Sequence, residues 1–192
     1  MVGDLRARTG AGMMDCKKAL TETNGDVDLA IQLLREKGLK ASELKSSRQA
    51  SEGTITSYIH PGSRVGVLVE INCETDFVAR TDEFQELAKN IAMQIAASKP
   101  TYLDRESVPA DVIESEKSIL KQQDDIQGKP EQIIEKIVEG RIDKFFAEVC
   151  LIEQSYIKDN DKTIAEIVKE AVAKLGENIV VNRFSLFVLG QT

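Results

Sequence analysis

Apolar residues occupy every second position from Val65 to Cys73, at 65, 67, 69, 71 and 73. A period of two predicts a strand with one buried face. The period then changes. Phe84, Leu87, Ala88, Ile91 and Ile95 recur at helical spacing, which predicts an amphipathic helix. Thr81 stands as its N-cap, and Asp82 and Glu83 fall in the first turn, where the helix dipole favours acids. Between the two periods lies the junction Asn72-Cys73-Glu74-Thr75-Asp76-Phe77-Val78-Ala79-Arg80. It holds a Phe beside an Asp at a point that neither apolar pattern claims. A large aromatic in a polar loop is either a plug folded back on its own core or an anchor for a partner.

Upstream, Thr54 to Ile59 forms the other arm of a hairpin, with His60-Pro61-Gly62-Ser63-Arg64 as its loop. Residues 1–39 read as a helical unit of three short helices. About two turns precede Gly10, Met13 to Thr23 is closed by Asn24-Gly25, and a third helix is capped by Asp26 and ended by Gly38. Lys, Ser and Arg then dominate with little apolar period, so residues 40–52 are expected to be a linker. The core is expected over 53–192. Lys99-Pro100 stops the helix that starts at Asp82. Pro109 opens a helix to about Gln127, charged on most sides and carrying Asp124-Asp125. After Gly128-Lys129-Pro130 a second helix carries the stripe Ile134, Ile137, Val138, Ile142, Phe145 and Val149. The pair, about 109–150, predicts a projecting helical hairpin.

The last segment holds the capping box Thr163-x-x-Glu166 before Ile164, Ile167, Val168, Ala171 and Leu175, with Gly176 as C-cap. A final strand, Ile179 to Leu189, is apolar on both faces apart from Asn182, Arg183 and Ser185. Such a strand needs cover on both sides, so it is either central in the sheet or met by a second chain. The fold class expected is α+β: a helical N-terminal domain, then an antiparallel sheet core with helices on one side.

Composition narrows the function. The chain of 192 residues carries 25 Lys+Arg against 32 Asp+Glu, a net charge of -7. An acidic surface argues against nucleic-acid or membrane-surface binding, which want a positive field. Cys16, Cys73 and Cys150 are an odd number without CxxC spacing, each inside a periodic segment. They are expected to be reduced small hydrophobes. No secretory signal and no membrane-spanning run are expected, so a soluble intracellular protein is predicted. Phosphate loops, GxGxxG and GxSxG are absent, and the single His is His60, in a Pro-Gly turn. No nucleophile–base pair or metal-ligand set is legible, which predicts a protein that is not an enzyme and needs no cofactor.

Two motifs carry a family resemblance. Arg8-Thr9-Gly10-Ala11-Gly12-Met13-Met14-Asp15-Cys16-Lys17-Lys18-Ala19-Leu20 resembles the N-terminal signature of the bacterial and organellar elongation factor Ts family. Asn72-Cys73-Glu74-Thr75-Asp76-Phe77-Val78 resembles its core motif. Tyr58-Ile59-His60 with Arg64 to Val69, Ala96 to Pro100, and Gly128-Lys129-Pro130 with Val138 to Arg141 follow in the family's order and extend the resemblance over most of the chain.

The resemblance implies a guanine-nucleotide exchange factor for elongation factor Tu, acting in translation elongation in the cytoplasm, or in an organelle matrix or stroma. The alternative is a binding and dimerisation module without exchange activity. By resemblance, residues 1–39 form a ubiquitin-associated-like domain that docks on the partner through Arg6, Met13 and Met14, with His60 as a supporting contact. The loop Thr75, Asp76, Phe77 and Val78 pushes in near the partner's Mg2+ site. Two departures stand out. By this resemblance the chain is expected to start late, which leaves Arg6 close to a fraying end. Only one hairpin-plus-helix unit is present, as in the family's short form. Short members are expected to pair as homodimers through the core, and no Cys lies beyond Cys150, so the pairing is expected to be non-covalent.

Overall fold

In the computed structural model, which describes residues 1–191 and leaves aside the side chains of Leu39 and Ala41, the hairpin forms where the period of two predicts it. Strand β1 spans Glu52–Ile59 and β2 spans Val65–Cys73, antiparallel, with Ile59 opposite Gly66 and Glu52 opposite Cys73. A third strand, β5 (Val180–Val188), pairs antiparallel with β2 on its other side, giving the order β1-β2-β5. The last strand is therefore an edge and not the centre, and its pattern has a different cause from burial between neighbours. A register shift between Glu70 and Ile71 moves its pairing past Asn182. Beyond this bulge Phe184, Leu186 and Val188 turn toward the helices, while Arg183, Ser185 and Phe187 face out.

The inner sheet face is covered from one side, as α+β packing requires. Helix α5 (Asp82–Ser98) buries Phe84, Leu87, Ala88, Ile91, Ala92 and Ile95 against Val67, Val69, Ile71 and Cys73. Helix α8 (Ile164–Leu175) adds Ile164 and Val172. Their predicted caps are present: Thr81 Oγ1 accepts from the Phe84 amide at 3.3 Å, and the Thr163–Glu166 capping box closes in both directions. Buried Gln94 on α5 accepts from the Ile157 amide at 2.9 Å and donates to the Ser155 carbonyl at 3.1 Å. It anchors a short antiparallel pair, β3 (Ser155–Tyr156) and β4 (Asp159–Thr163). Those strands are too polar to show an apolar period, and the sequence gives no sign of them.

The N-terminal unit is three helices, α1 (Val2–Thr9), α2 (Met13–Glu22) and α3 (Val27–Lys45), around Leu5, Cys16, Ala19, Leu20 and Ala30. The predicted end at Gly38 is corrected: α3 runs through it, and half of the expected linker is helix. Gly38 does not cap. It lies against α8, where a Cβ built on it would stand 3.1 Å from the Ala173 Cβ. The missing side chain lets the two helices touch. Arg35 donates to Glu166 at 3.1 Å and Lys45 Nζ to the Val172 carbonyl at 3.5 Å along the same seam.

The helical hairpin has its own small core of Val108, Leu120, Ile126, Val138, Ile142, Phe146 and Cys150. Helix α6 (Ala110–Lys121) ends earlier than the sequence predicts, before a single 3-10 turn at Asp124–Ile126. Ile126, fully buried, pulls the chain inward there. Asp125 consequently lies on this turn and not on the helix, and its side chain stays solvated. It accepts from the Arg141 guanidinium of α7 (Glu131–Val149), which holds its carboxyl below the usual range.

Candidate partner-binding site

The junction after β2 is not a loop. Asp76–Ala79 forms one helical turn, α4, capped by Thr75, whose Oγ1 accepts from the Val78 amide at 3.3 Å. Thr81 Oγ1 donates to the Val78 carbonyl at 2.8 Å and also caps α5, so one turn leads into the next helix without slack. Ala79 is buried in the core and fixes the inner side of the turn. The opposite side carries Phe77, whose ring is 79% exposed. The plug alternative is thereby removed, since the ring touches solvent and not its own core. Asp76 lies beside it, its carboxylate paired with Arg80 at 2.8 Å.

Long-range hydrogen bonds hold the base of this turn. Glu177 Oε2 accepts from the backbone amides of Glu74 and Thr75 at 3.1 and 3.0 Å, and its Oε1 accepts from Thr75 Oγ1 at 2.6 Å. Reciprocally, Glu74 Oε1 accepts from the Asn178 amide at 2.7 Å. Asn178 Nδ2 donates to the Arg48 carbonyl at 2.8 Å, just beyond α3. The Cys73 thiol donates to the Thr75 carbonyl at 3.2 Å, and burial together with the nearby Glu177 carboxylate pushes its pKa up. A thiol in that state is a packing group and not a nucleophile. Sequence reading missed Glu177 and Asn178. Their only signal is position, directly after the Gly176 cap, and a contact across 102 residues leaves no periodic trace.

The remaining candidates lie on other elements. Met13 and Met14 open α2 and are both exposed, at 50% and 61%, so neither belongs to the helical core. Arg6 is exposed on α1. His60 is exposed at the turn of the β1–β2 hairpin, its Nδ1 3.2 Å from Tyr58 Oη. It sits at the opposite end of β2 from Thr75, about 25 Å away at ~3.3 Å per residue. The fold therefore does not bring His60 to the Phe77 turn. Among the described residues, no three His, Cys, Asp or Glu side chains converge as metal ligands, and no helix is long and apolar enough to cross a membrane.

The outer sheet face is open. Ile55, Ile59, Leu68 and Phe187 lie on it, 67%, 62%, 47% and 65% exposed, and Ser57 and Ser185 flank Leu68 in register. At one end Glu70 accepts from Arg183 and Asn182 at 2.7 and 2.9 Å, which lowers its pKa.

Comparison with known proteins gives this geometry a lineage. The sequence model of the family described as "Elongation factor TS" matches residues 17–191. Elongation factor Ts of Syntrophomonas wolfei is 60% identical over 191 residues, covering 100% of this chain and 89% of the relative. That of Desulforamulus reducens is also 60% identical, covering 100% and 88%. That of Herpetosiphon aurantiacus is 59% identical over 189 residues, covering 98% and 96%. On the family match and these near full-length identities, the chain belongs to the elongation factor Ts family.

Proposed function

We propose that this chain is the guanine-nucleotide exchange factor of elongation factor Tu: it binds the GDP-bound GTPase and promotes GDP release by disturbing the Mg2+/phosphate site. Family membership supports the partner and the exchange role in translation elongation. The observation that carries the finer reading is the exposed Phe77 ring beside Asp76 on a capped turn at the lip of the sheet.

Exchange breaks no covalent bond. It needs a ternary complex in which each ligand weakens the other, and linkage makes that weakening reciprocal. Every ~1.4 kcal/mol of preference for the empty partner lowers nucleotide affinity about tenfold. Burying a phenylalanine ring supplies roughly 2 kcal/mol of such preference if its slot opens only in the nucleotide-free partner. Phe77 is the wedge, and Asp76 brings negative charge to a site already crowded with phosphate oxygens. Thr75 and Val78 fix the turn. Arg6, Met13 and Met14 dock the helical unit, the methionines giving an adaptable apolar surface, with His60 as a further contact. The open outer sheet face supports a non-covalent homodimer, because a second copy would cover Leu68 and Phe187.

The test is release of fluorescent GDP from elongation factor Tu, with and without the chain and with Phe77→Ala plus Asp76→Ala. Acceleration by the native chain and its loss in the double variant are expected. A folded double variant that accelerates as well as the native chain would remove the wedge assignment. No acceleration by either would leave a binding module.

A further inference from the structure

We infer that Glu177 is the positioning residue of the Phe77 wedge: its carboxylate sets the register and direction of the turn that presents the ring. The inference rests on the exchange reading above and deepens it.

The carboxylate is a three-point clamp. The amides of Glu74 and Thr75 are successive donors at the end of β2, and Glu177 Oε2 takes both. Its Oε1 accepts from the Thr75 hydroxyl, 2.6 Å between the oxygens. Thr75 Oγ1 is also the acceptor for the Val78 amide, the cap of α4. A hydroxyl that donates in one direction keeps its lone pairs for the other. Glu177 therefore orients the atom that closes the wedge turn, besides holding the backbone on which the turn starts.

The mounting of Glu177 is itself fixed. Gly176, in the left-handed region at φ 82°, ends α8 and turns the chain toward β2. Asn178 next to it is buried and is tied to the Glu74 carboxylate and to the Arg48 and Ser46 carbonyls. Residues 74–75 and 177–178 thus exchange carboxylate–amide hydrogen bonds in both directions, and charged acceptors make such bonds strong. The exposed ring has no packing of its own to hold it. Its direction is inherited from this base, and a loose base would let the ring sweep and raise the ordering cost of insertion.

The experiment uses the full chain with elongation factor Tu charged with fluorescent GDP, titrated to saturation, comparing native, Glu177→Ala, Glu177→Gln and Phe77→Ala chains. Glu177→Ala is expected to lower the maximal release rate roughly tenfold, while the half-saturating concentration, governed by docking elsewhere, moves less than about threefold. Glu177→Gln keeps a carbonyl for the amides and is expected to fall between native and Ala. Native maximal release by folded Glu177→Ala, with Phe77→Ala slow, would overturn the inference and leave the wedge standing. A shift only in half-saturation, or a melting-temperature loss with a native maximal rate, would likewise overturn it, because the role would be structural. Native rates in both Glu177→Ala and Phe77→Ala would instead sink the wedge reading. Should Glu177→Ala not fold, Glu177→Gln decides: a reduced maximum supports the assignment and a native maximum refutes it.

Discussion

Phe77 and Phe84 stand seven residues apart on consecutive helical turns, and the molecule treats them in opposite ways. Phe84 is 0% exposed, the first core residue of α5, packed among Val69, Ile71 and Ile91 in the main cluster. Phe77 is 79% exposed. Hydrophobicity alone predicts the same fate for both. The difference comes from the backbone: Ala79 takes the inward position of α4, and the caps at Thr75 and Thr81 leave no freedom to roll Phe77 inward. The hydrogen bonds at the base of the turn thus hold an aromatic ring in water, which is what the proposed wedge requires.

That contrast can be broken most sharply at its buried end. Phe84→Ala should cost about 3–5 kcal/mol by removing the ring and leaving a cavity, read as a fall in the denaturant midpoint. Phe77→Ala should leave stability within ~0.5 kcal/mol of native yet slow stimulated GDP release roughly thirtyfold, the kinetic equivalent of ~2 kcal/mol of ring burial. A large stability loss there would erase the distinction. The open sheet face extends the comparison to aliphatic residues. Leu68→Asp, at the centre of that face, should weaken self-association about tenfold or more by sedimentation velocity, without unfolding the chain.

A smaller effect concerns the seam between the helical unit and the core. The Glu166 carboxyl lies below its ordinary pKa, chiefly through the Thr163 amide and then through Arg35. Its folded value is thus lower than its unfolded one. The stabilisation is whole above the ordinary carboxylate range and disappears as the pH falls through the folded value. Glu166→Ala should cost ~1 kcal/mol at pH 7, a typical capping contribution. The gap from native should narrow in thermal melts as the pH is taken below the ordinary carboxylate range. Arg80→Ala should be the mildest, at most ~0.5 kcal/mol, because the Asp76–Arg80 pair is largely exposed.

Much of this architecture is legible in the chain. Val65 to Cys73 and Phe84 to Ile95 announce strand and helix through their periods, and Thr81, Thr163 and Gly176 mark the caps. The sequence misleads where one residue has two possible uses. Gly38 reads as a stop signal, but the same absence of a Cβ also serves close helix crossing, and only the presence of Ala173 opposite decides. The last strand shows a similar ambiguity: a bulge at Asn182 shifts the alternation by one residue, which mimics a strand apolar on both faces. At the candidate site, Thr75 to Val78 are recognisable as a motif. Glu177 is invisible, because a carboxylate that grips two amides 102 and 103 residues away has no local pattern to betray it.

The passage of α3 through Gly38 reaches beyond packing. Because the helix continues to Lys45 and lies against α8, the helical unit and the sheet core meet along a packed seam and not through a slack tether. On the proposed docking, the methionines and the aromatic tip would then reach the GTPase as parts of one frame, like the two jaws of a caliper.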